Sequence, residues 1–148
     1  MKRGFTILEL LIVIAVIAIL VGIALPRFRG MREEGYVAQA KGELRTLQTA
    51  TESYFIHNSS YPSAGATWQT ALTGASPTII GTALTDPFSN AGAQYLIALS
   101  DNGDHYIIYS IGPGANGSAV ISDTGAVTET NGTSCVFVSG STRDTTGP

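Results

Sequence analysis

The sequence has few residues of the kinds that catalytic and metal sites require. Its 148 residues include one cysteine, Cys135, and two histidines, His57 and His105. A single cysteine excludes an intrachain disulfide, so we expect Cys135 to be a small buried side chain, with an intermolecular bridge as the alternative. Neither histidine has a nearby cysteine, glutamate or second histidine at metal-binding spacing, and the glycines form no phosphate-binding loop. The sequence therefore predicts no catalytic residues and no dedicated metal site.

Positive charge is scarce in the distal part of the chain. Residues 58–148 contain one basic residue, Arg143, against six acidic residues, whereas residues 1–57 hold the other seven basic residues. Nucleic-acid binding needs clustered lysine and arginine for phosphate contacts. We therefore expect no nucleic-acid binding by this chain, and we interpret the negative charge as an aid to the solubility of an exported domain.

A long apolar run, Phe5–Leu25, is the feature around which the chain is organised. Its only polar side chains are Thr6 and Glu9. As a helix, these residues span ~31 Å, close to the ~30 Å hydrocarbon core of a bilayer. No small-residue cleavage site follows the run, so a transmembrane helix is favoured over a cleavable signal peptide. Basic residues flank both ends, and the positive-inside rule does not decide the orientation.

Glu9 is out of place in this run. A carboxylate at the centre of a membrane helix costs on the order of 3 kcal/mol and less near an interface. Glu9 lies in the first turns, where the helix macrodipole favours negative charge. Two interpretations remain open: an interfacial side chain that reaches out of the membrane, or a carboxylate paired with a positive group of another subunit.

The residues Gly4-Phe5-Thr6-Ile7-Leu8-Glu9-Leu10 resemble the prepilin motif of type IV pilins and type II secretion pseudopilins. The resemblance implies that a membrane peptidase cuts between Gly4 and Phe5 and methylates the new amino group of Phe5. It also implies that Glu9 neutralises the amine of a neighbouring subunit, because unpaired charge is costly in a low-dielectric filament core. Phe5 and Glu9 are four residues apart, so pairing within one chain stays open.

Four segments are expected: a leader at 1–4, a hydrophobic transmembrane and assembly helix at 5–25, an amphipathic continuation at 26–57 and a globular, β-rich domain with a mobile tail at 58–148. Pro26 lacks an amide proton, so we expect it to kink or loosen the helix. An apolar stripe of spacings three and four follows and predicts packing against a sheet. Its members are Val37, Ala40, Leu44, Leu47, Thr51, Tyr54 and Phe55. The predicted fold class is α+β and pilin-like, a long N-terminal helix packed on a small antiparallel sheet.

The distal part of the chain carries weaker secondary-structure signals. We expect a short helix at 67–72 and strands at 94–99, 105–111, 119–122 and 135–139, with a mobile tail over Gly140–Pro148. The first two strands form a hairpin, because Asn102-Gly103 between β-rich runs is a strong turn signal. Calcium is left open as a weak alternative, in which Asp123 joins Asp101 or Asp104 if their loops converge. No other cofactor is predicted.

Three distal motifs are similar to landmarks of the major pseudopilin of type II secretion. They are Tyr61-Pro62, Asp86-Pro87-Phe88-Ser89-Asn90 and Tyr109-Ser110-Ile111-Gly112, and Tyr95, between the second and the third, is a further landmark. The similarity ends after Gly117, because no Asp-x-Asp follows where those pseudopilins hold calcium. The chain also lacks the C-terminal cysteine pair of many type IV pilins.

These resemblances imply a structural subunit that forms a helical homo-oligomeric filament, most like the major pseudopilin of type II secretion. The alternative is the major pilin of a surface pilus for adhesion, motility or DNA uptake. A rival of another class is a membrane-anchored periplasmic domain that does not polymerise. The implied partners are the inner membrane, a prepilin peptidase, an assembly platform and minor subunits. The implied location is a single-pass inner-membrane protein with a periplasmic head, which then enters a periplasmic pseudopilus or an extracellular pilus.

Overall fold

The computed structural model describes residues 5–89, 92–130 and 135–141, with the backbone alone at 25–29. Two helices, α1 (Ile7–Asn58) and α2 (Thr70–Thr73), precede five strands. The strands are β1 (Leu96–Leu99), β2 (His105–Ser110), β3 (Ser118–Ile121), β4 (Val127–Thr130) and β5 (Val136–Ser141). The chain divides into two compact units, residues 1–35 and 36–148, which we call the N-terminal unit and the head unit. The second half of α1 thus belongs to the head unit.

The main sheet is antiparallel, with strand order β1-β2-β5, and β3 and β4 form a separate two-stranded sheet. The predicted hairpin joins β1 to β2, with Leu96 opposite Tyr109 and Leu99 opposite Tyr106. Gly103 in its turn has φ +73°, a backbone conformation that glycine adopts without steric cost. The α+β class, with a long helix and a small antiparallel sheet, is confirmed.

The core lies on both faces of β2. On one face, Ala40, Leu44 and Leu47 of α1 are fully buried against Tyr106 and Ile108, which confirms the predicted helical stripe. On the other face, a second buried cluster combines residues of β2 and β3 with the cysteine. Its members are Ile107, Tyr109, Ala119, Ile121 and Cys135. Covering on both faces explains why β2 is apolar at successive positions rather than at alternate ones.

One distal strand was missed from the sequence, and another was predicted to end too early. Strand β4 was not predicted, because three of its four residues are exposed and it shows no apolar alternation. The mobile tail was predicted to start at Gly140. In the structure, Gly140 and Ser141 still belong to β5 and lie opposite Tyr106 and His105. A Cβ at Gly140 would stand 2.5 Å from the Tyr106 ring and 2.6 Å from the Glu52 carboxylate, so glycine allows the strand to pass there. Residues 142–148 lie outside the described residues.

Other boundaries moved by a few residues. The short helix expected at 67–72 is observed at Thr70–Thr73, after a turn. The first strand begins at Leu96, while Gln94 forms an isolated bridge with Thr85. The side chain of Gln69 holds the irregular stretch that precedes β1. Its buried amide donates to the Leu84 carbonyl at 3.0 Å and accepts from the Leu84 amide at 2.7 Å.

Candidate assembly site

The helix α1 begins with a reciprocal hydrogen-bonded cap. Thr6 precedes the first helical residue, and its carbonyl accepts the first helical bond from the Leu10 amide at 3.3 Å. The Glu9 amide donates to Thr6 Oγ1 at 3.3 Å, and Glu9 Oε2 accepts from the Thr6 amide at 3.5 Å. This is a capping box, in which two otherwise unpaired amides are satisfied. The Thr-x-x-Glu spacing could have revealed it, and the sequence reasoning missed it.

The cap gives Glu9 a second local role. The Thr6 hydroxyl also donates to Glu9 Oε2 at 3.4 Å, so the carboxylate is anchored at the N-terminus of its own helix, where the macrodipole favours it. All three contacts are long and exposed, and therefore weak. A stronger partner, such as an amine, can displace them at low cost. The pairing of Glu9 with an amine, in either chain, stays a prediction.

The apolar part of α1 is uncovered. Residues Ile7–Ala24 are long and apolar enough to cross a membrane, and none of this window is buried. Large side chains on every side of the helix are exposed, for example Leu8 at 68% and Ile19 at 64%. A helix that is apolar all round requires lipid or protein around it. The N-terminal unit therefore needs a covering that the single chain does not supply.

Gly4 and Pro26 are the two remaining site residues predicted from the sequence. Gly4, on the leader side of the expected cleavage, lies outside the described residues. Pro26 lies within α1, which is helical without interruption from Ile7 to Asn58, in the stretch whose side chains are not described. Cleavage at Gly4 and a kink at Pro26 stay predictions of the sequence.

The second and third landmark motifs of the head unit meet in a buried polar knot. Asp86, only 4% exposed, accepts at Oδ1 from the Ser110 hydroxyl at 2.8 Å and from the Phe88 amide at 3.0 Å. Its Oδ2 accepts from the Ile111 amide at 2.8 Å. A carboxylate is tolerated away from water when donors surround it in this way. The knot attaches the loop at 86–89 to the end of β2.

Two phenol–carboxylate pairs attach α1 to β2 and to the residue that precedes β1. The Tyr95 hydroxyl donates to Glu43 Oε2 at 2.6 Å, and the Tyr106 hydroxyl donates to Glu52 Oε1 at 2.7 Å. Burial, and then the hydrogen bond to each glutamate, raises the pKa of both phenols. The Tyr61 ring packs on Tyr106 with centroids 4.5 Å apart. Burial and the Glu52 charge raise the pKa of Tyr61 to about 12.

These tyrosines predict an alkaline unfolding transition. An unfolded tyrosine loses its proton near pH ~10, whereas Tyr61, Tyr95 and Tyr106 hold theirs to higher pH in the folded head unit. Their contribution to stability is thus complete below pH ~10 and is lost as the pH rises towards about 12 and beyond. We expect the part of the tyrosinate absorbance that comes from these three residues to appear together with a change in Trp68 fluorescence, in one cooperative step. Gradual ionisation with unchanged Trp68 emission would contradict this.

The turns at the β1–β2 and β3–β4 hairpins converge. The Asn102 amide donates to Asp123 Oδ1 at 2.9 Å, so the loops named in the calcium alternative do touch. Among the described residues, no group of three or more histidine, cysteine, aspartate and glutamate side chains is placed to hold a metal ion. Calcium at this tip stays an untested alternative.

A family model for the prokaryotic N-terminal methylation motif matches residues 1–25. The chain therefore carries a prepilin-type processing motif. It is similar both to type IV pilins and to the core pseudopilin of type II secretion, which confirms the resemblance seen in the sequence.

Three relatives illustrate this. The type IV major pilin protein PilA of Myxococcus xanthus is 42% identical over 60 residues, covering 40% of this chain and 27% of that protein. Type II secretion system core protein G of Pectobacterium carotovorum is 32% identical over 62 residues, covering 42% and 40%. A fimbrial protein of Pseudomonas aeruginosa is 40% identical over 55 residues, covering 37% and 36%. The chain thus aligns with less than half the length of each relative. No solved structure matches.

Proposed function

We propose that this chain is a structural subunit of a type IV pilus-like filament and not an enzyme. The observation that carries the proposal is the processing motif, which lies at the start of a helix whose apolar window, Ile7–Ala24, is entirely unburied. Before assembly, lipid covers this helix in a single-pass inner-membrane protein with a periplasmic head. In the filament, the same helices of neighbouring subunits cover one another.

Processing makes the start of the helix suitable for assembly. Cleavage between Gly4 and Phe5 removes Lys2 and Arg3 and leaves the Phe5 amino group at the start of the helix, which a prepilin peptidase methylates. Glu9 of a neighbouring subunit neutralises that amine inside the filament, where an unpaired charge is costly. The assembly platform and minor subunits are the further partners that this function requires.

Among filament types, we propose a pseudopilus of the type II secretion class. The contact between the Asp86 motif and the Ser110-Ile111 motif supports it, because these two pseudopilin-like landmarks form one buried knot. A surface pilus remains the second candidate, since type IV pilins and fimbrial proteins are among the relatives. The absence of an Asp-x-Asp after Gly117 also favours that candidate.

Two measurements test the proposal. Mass spectrometry of the chain from its host should show a mature N-terminus at methylated Phe5, and a retained leader at 1–4 in a host with an active prepilin peptidase contradicts processing. Electron microscopy of sheared surface fractions separates the filament types. Long extracellular filaments that contain this chain at its natural level would favour the surface pilus over the pseudopilus.

A further inference from the structure

The cations of the head unit are concentrated at one place. In its described part, Lys41 and Arg45 are the only lysine or arginine side chains, and both are exposed on α1. They lie one helical turn apart and border a groove of about 650 Å³. Val136, Val138 and Pro113 supply part of its apolar lining. Two like charges spaced by four residues destabilise a helix, so their position is better explained by an anionic partner than by helix stability.

The carboxylates of the head unit are sorted between inward and outward positions. Glu43 and Glu52 accept hydrogen bonds from tyrosines, and Asp86 is buried. Glu129 is exposed on β4, and its charge helps burial to raise the pKa of the Cys135 thiol at the sheet side of the groove. Among the residues that the structure describes, the other three carboxylates of the head unit, Asp101, Asp104 and Asp123, lie on the converging hairpin turns, which we call the acidic tip; Asp101 and Asp123 are exposed and Asp104 is half-buried.

An exposed apolar side chain directly follows Phe55, a residue that lines a depression at the acidic tip. Ile56, near the end of α1, is 78% exposed, the highest value among the large apolar side chains described in the head unit. Its neighbours Phe55 and Ser59 line a depression together with Asn102 and Asp104. This end of the head unit therefore offers negative charge beside an apolar side chain, and the groove offers positive charge beside an apolar floor.

The two surfaces cannot meet within one molecule. The acidic tip lies at the start of β2, whereas the groove lies at its other end, where Ser110 is paired with Val136. Six strand residues separate them by ~17 Å. A contact between these two surfaces would therefore need two copies, in a head-to-tail arrangement that generates an open array.

We propose that the acidic tip of one copy docks on the Lys41–Arg45 groove of the next copy, with Ile56 entering the groove. This inference rests on the proposed filament function, for which it names a contact between heads. The contact orients the heads, because exposed ion pairs give specificity more than affinity. The uncovered N-terminal helices provide a larger apolar surface for assembly than this contact between heads does.

A zero-length cross-link tests the contact directly. Lys41 is the only lysine outside the leader at 1–4, so a carbodiimide that joins amines to carboxylates has a single side-chain amine to use. Filaments prepared from a mixture of isotopically light and heavy full-length chains should give mixed-isotope peptides that link Lys41 to Asp101, Asp104 or Asp123. Lys41 linked only to other carboxylates, or to none, would overturn the proposal.

Charge reversal gives a second, independent readout. Lys41→Glu and Asp101→Lys should each lower the yield of filaments roughly fivefold at low salt, and the double variant should restore most of it. Ile56→Asn should lower the yield without lowering head stability, because its side chain is exposed. The matched control Thr46→Glu lies at an exposed position of the same helix that is not three or four residues from Lys41 or Arg45, and it should leave the yield unchanged. Failure of the double variant to recover would count against the contact.

The experiments give different results if the filament proposal itself is wrong. If the wild-type chain forms no filaments, the filament proposal fails, and the cross-link is then measured on the full chain at high concentration in detergent. A mixed-isotope link from Lys41 to the acidic tip there supports the head contact alone. Its absence overturns the contact as well.

Discussion

Replacing Glu9 by glutamine should abolish filament assembly while leaving cleavage after Gly4 intact. Glutamine can still accept the Thr6 amide bond that Glu9 Oε2 accepts at 3.5 Å, so the capping box survives. It cannot neutralise the Phe5 amine of a neighbouring subunit. An uncompensated buried charge costs about 3–5 kcal/mol, which corresponds to a loss of more than ~100-fold in subunit affinity. Counting filaments by electron microscopy at matched expression measures the effect.

The matched control is Thr6→Ala, which removes the cap and keeps the carboxylate. Loss of an N-cap costs about 1 kcal/mol, so we expect filaments in reduced number. In the alternative interpretation, Glu9 acts only in the capping box. Glu9→Gln would then be tolerated, and Thr6→Ala would reduce the number of filaments more than Glu9→Gln does. The pair of variants thus separates the local contact seen in the structure from the inter-subunit charge pair that the family resemblance implies.

Asp86→Ala should strongly destabilise the head unit. It leaves the Ser110 hydroxyl and the Phe88 and Ile111 amides without the acceptor they now share. Each unsatisfied buried donor costs about 1–3 kcal/mol, and partial access of water reduces the sum to roughly 3 kcal/mol. Chemical unfolding of the full chain in detergent micelles measures it. The buried Trp68, whose indole donates to the Tyr95 carbonyl at 2.6 Å, reports the transition of the head unit.

Asp101→Asn provides the control for this prediction. Asp101 carries the same charge, but it is exposed in the hairpin turn, and such surface changes shift the free energy of unfolding by no more than about 0.5 kcal/mol. Equal midpoints for Asp86→Ala and Asp101→Asn would mean that water replaces the lost bonds and that the knot contributes little to stability.

Local patterns were enough to predict the parts of the chain that depend on neighbouring residues. The apolar run with Thr6 and Glu9 predicts a membrane helix and a processing motif, because both depend on contiguous residues. The stripe that includes Leu44 and Leu47 predicts the buried face of α1 through its helical spacing. The Asn102-Gly103 dipeptide predicts a hairpin, since glycine tolerates the positive φ that the turn requires.

Other features depended on contacts between distant residues. The sequence contains Asp86 and Ser110 in separate motifs, and only folding brings them to 2.8 Å. Strand β4 has little apolar character of its own and exists because β3 offers it backbone hydrogen-bonding partners. The sequence around Gly140 predicts a flexible tail, and only the structure shows that Tyr106 and Glu52 lie beside this glycine.

The sequence by itself determined the anchor, the processing motif and the uneven distribution of charge, because each is a property of consecutive or regularly spaced residues. Only the tertiary structure decided which carboxylates face inward and which face solvent. Glu43, Glu52 and Asp86 are held by internal donors, whereas Asp101 and Asp123 are exposed at the acidic tip. The reason is physical: a carboxylate enters a protein only where hydrogen-bond donors converge on it, and these donors come from residues far apart in the chain.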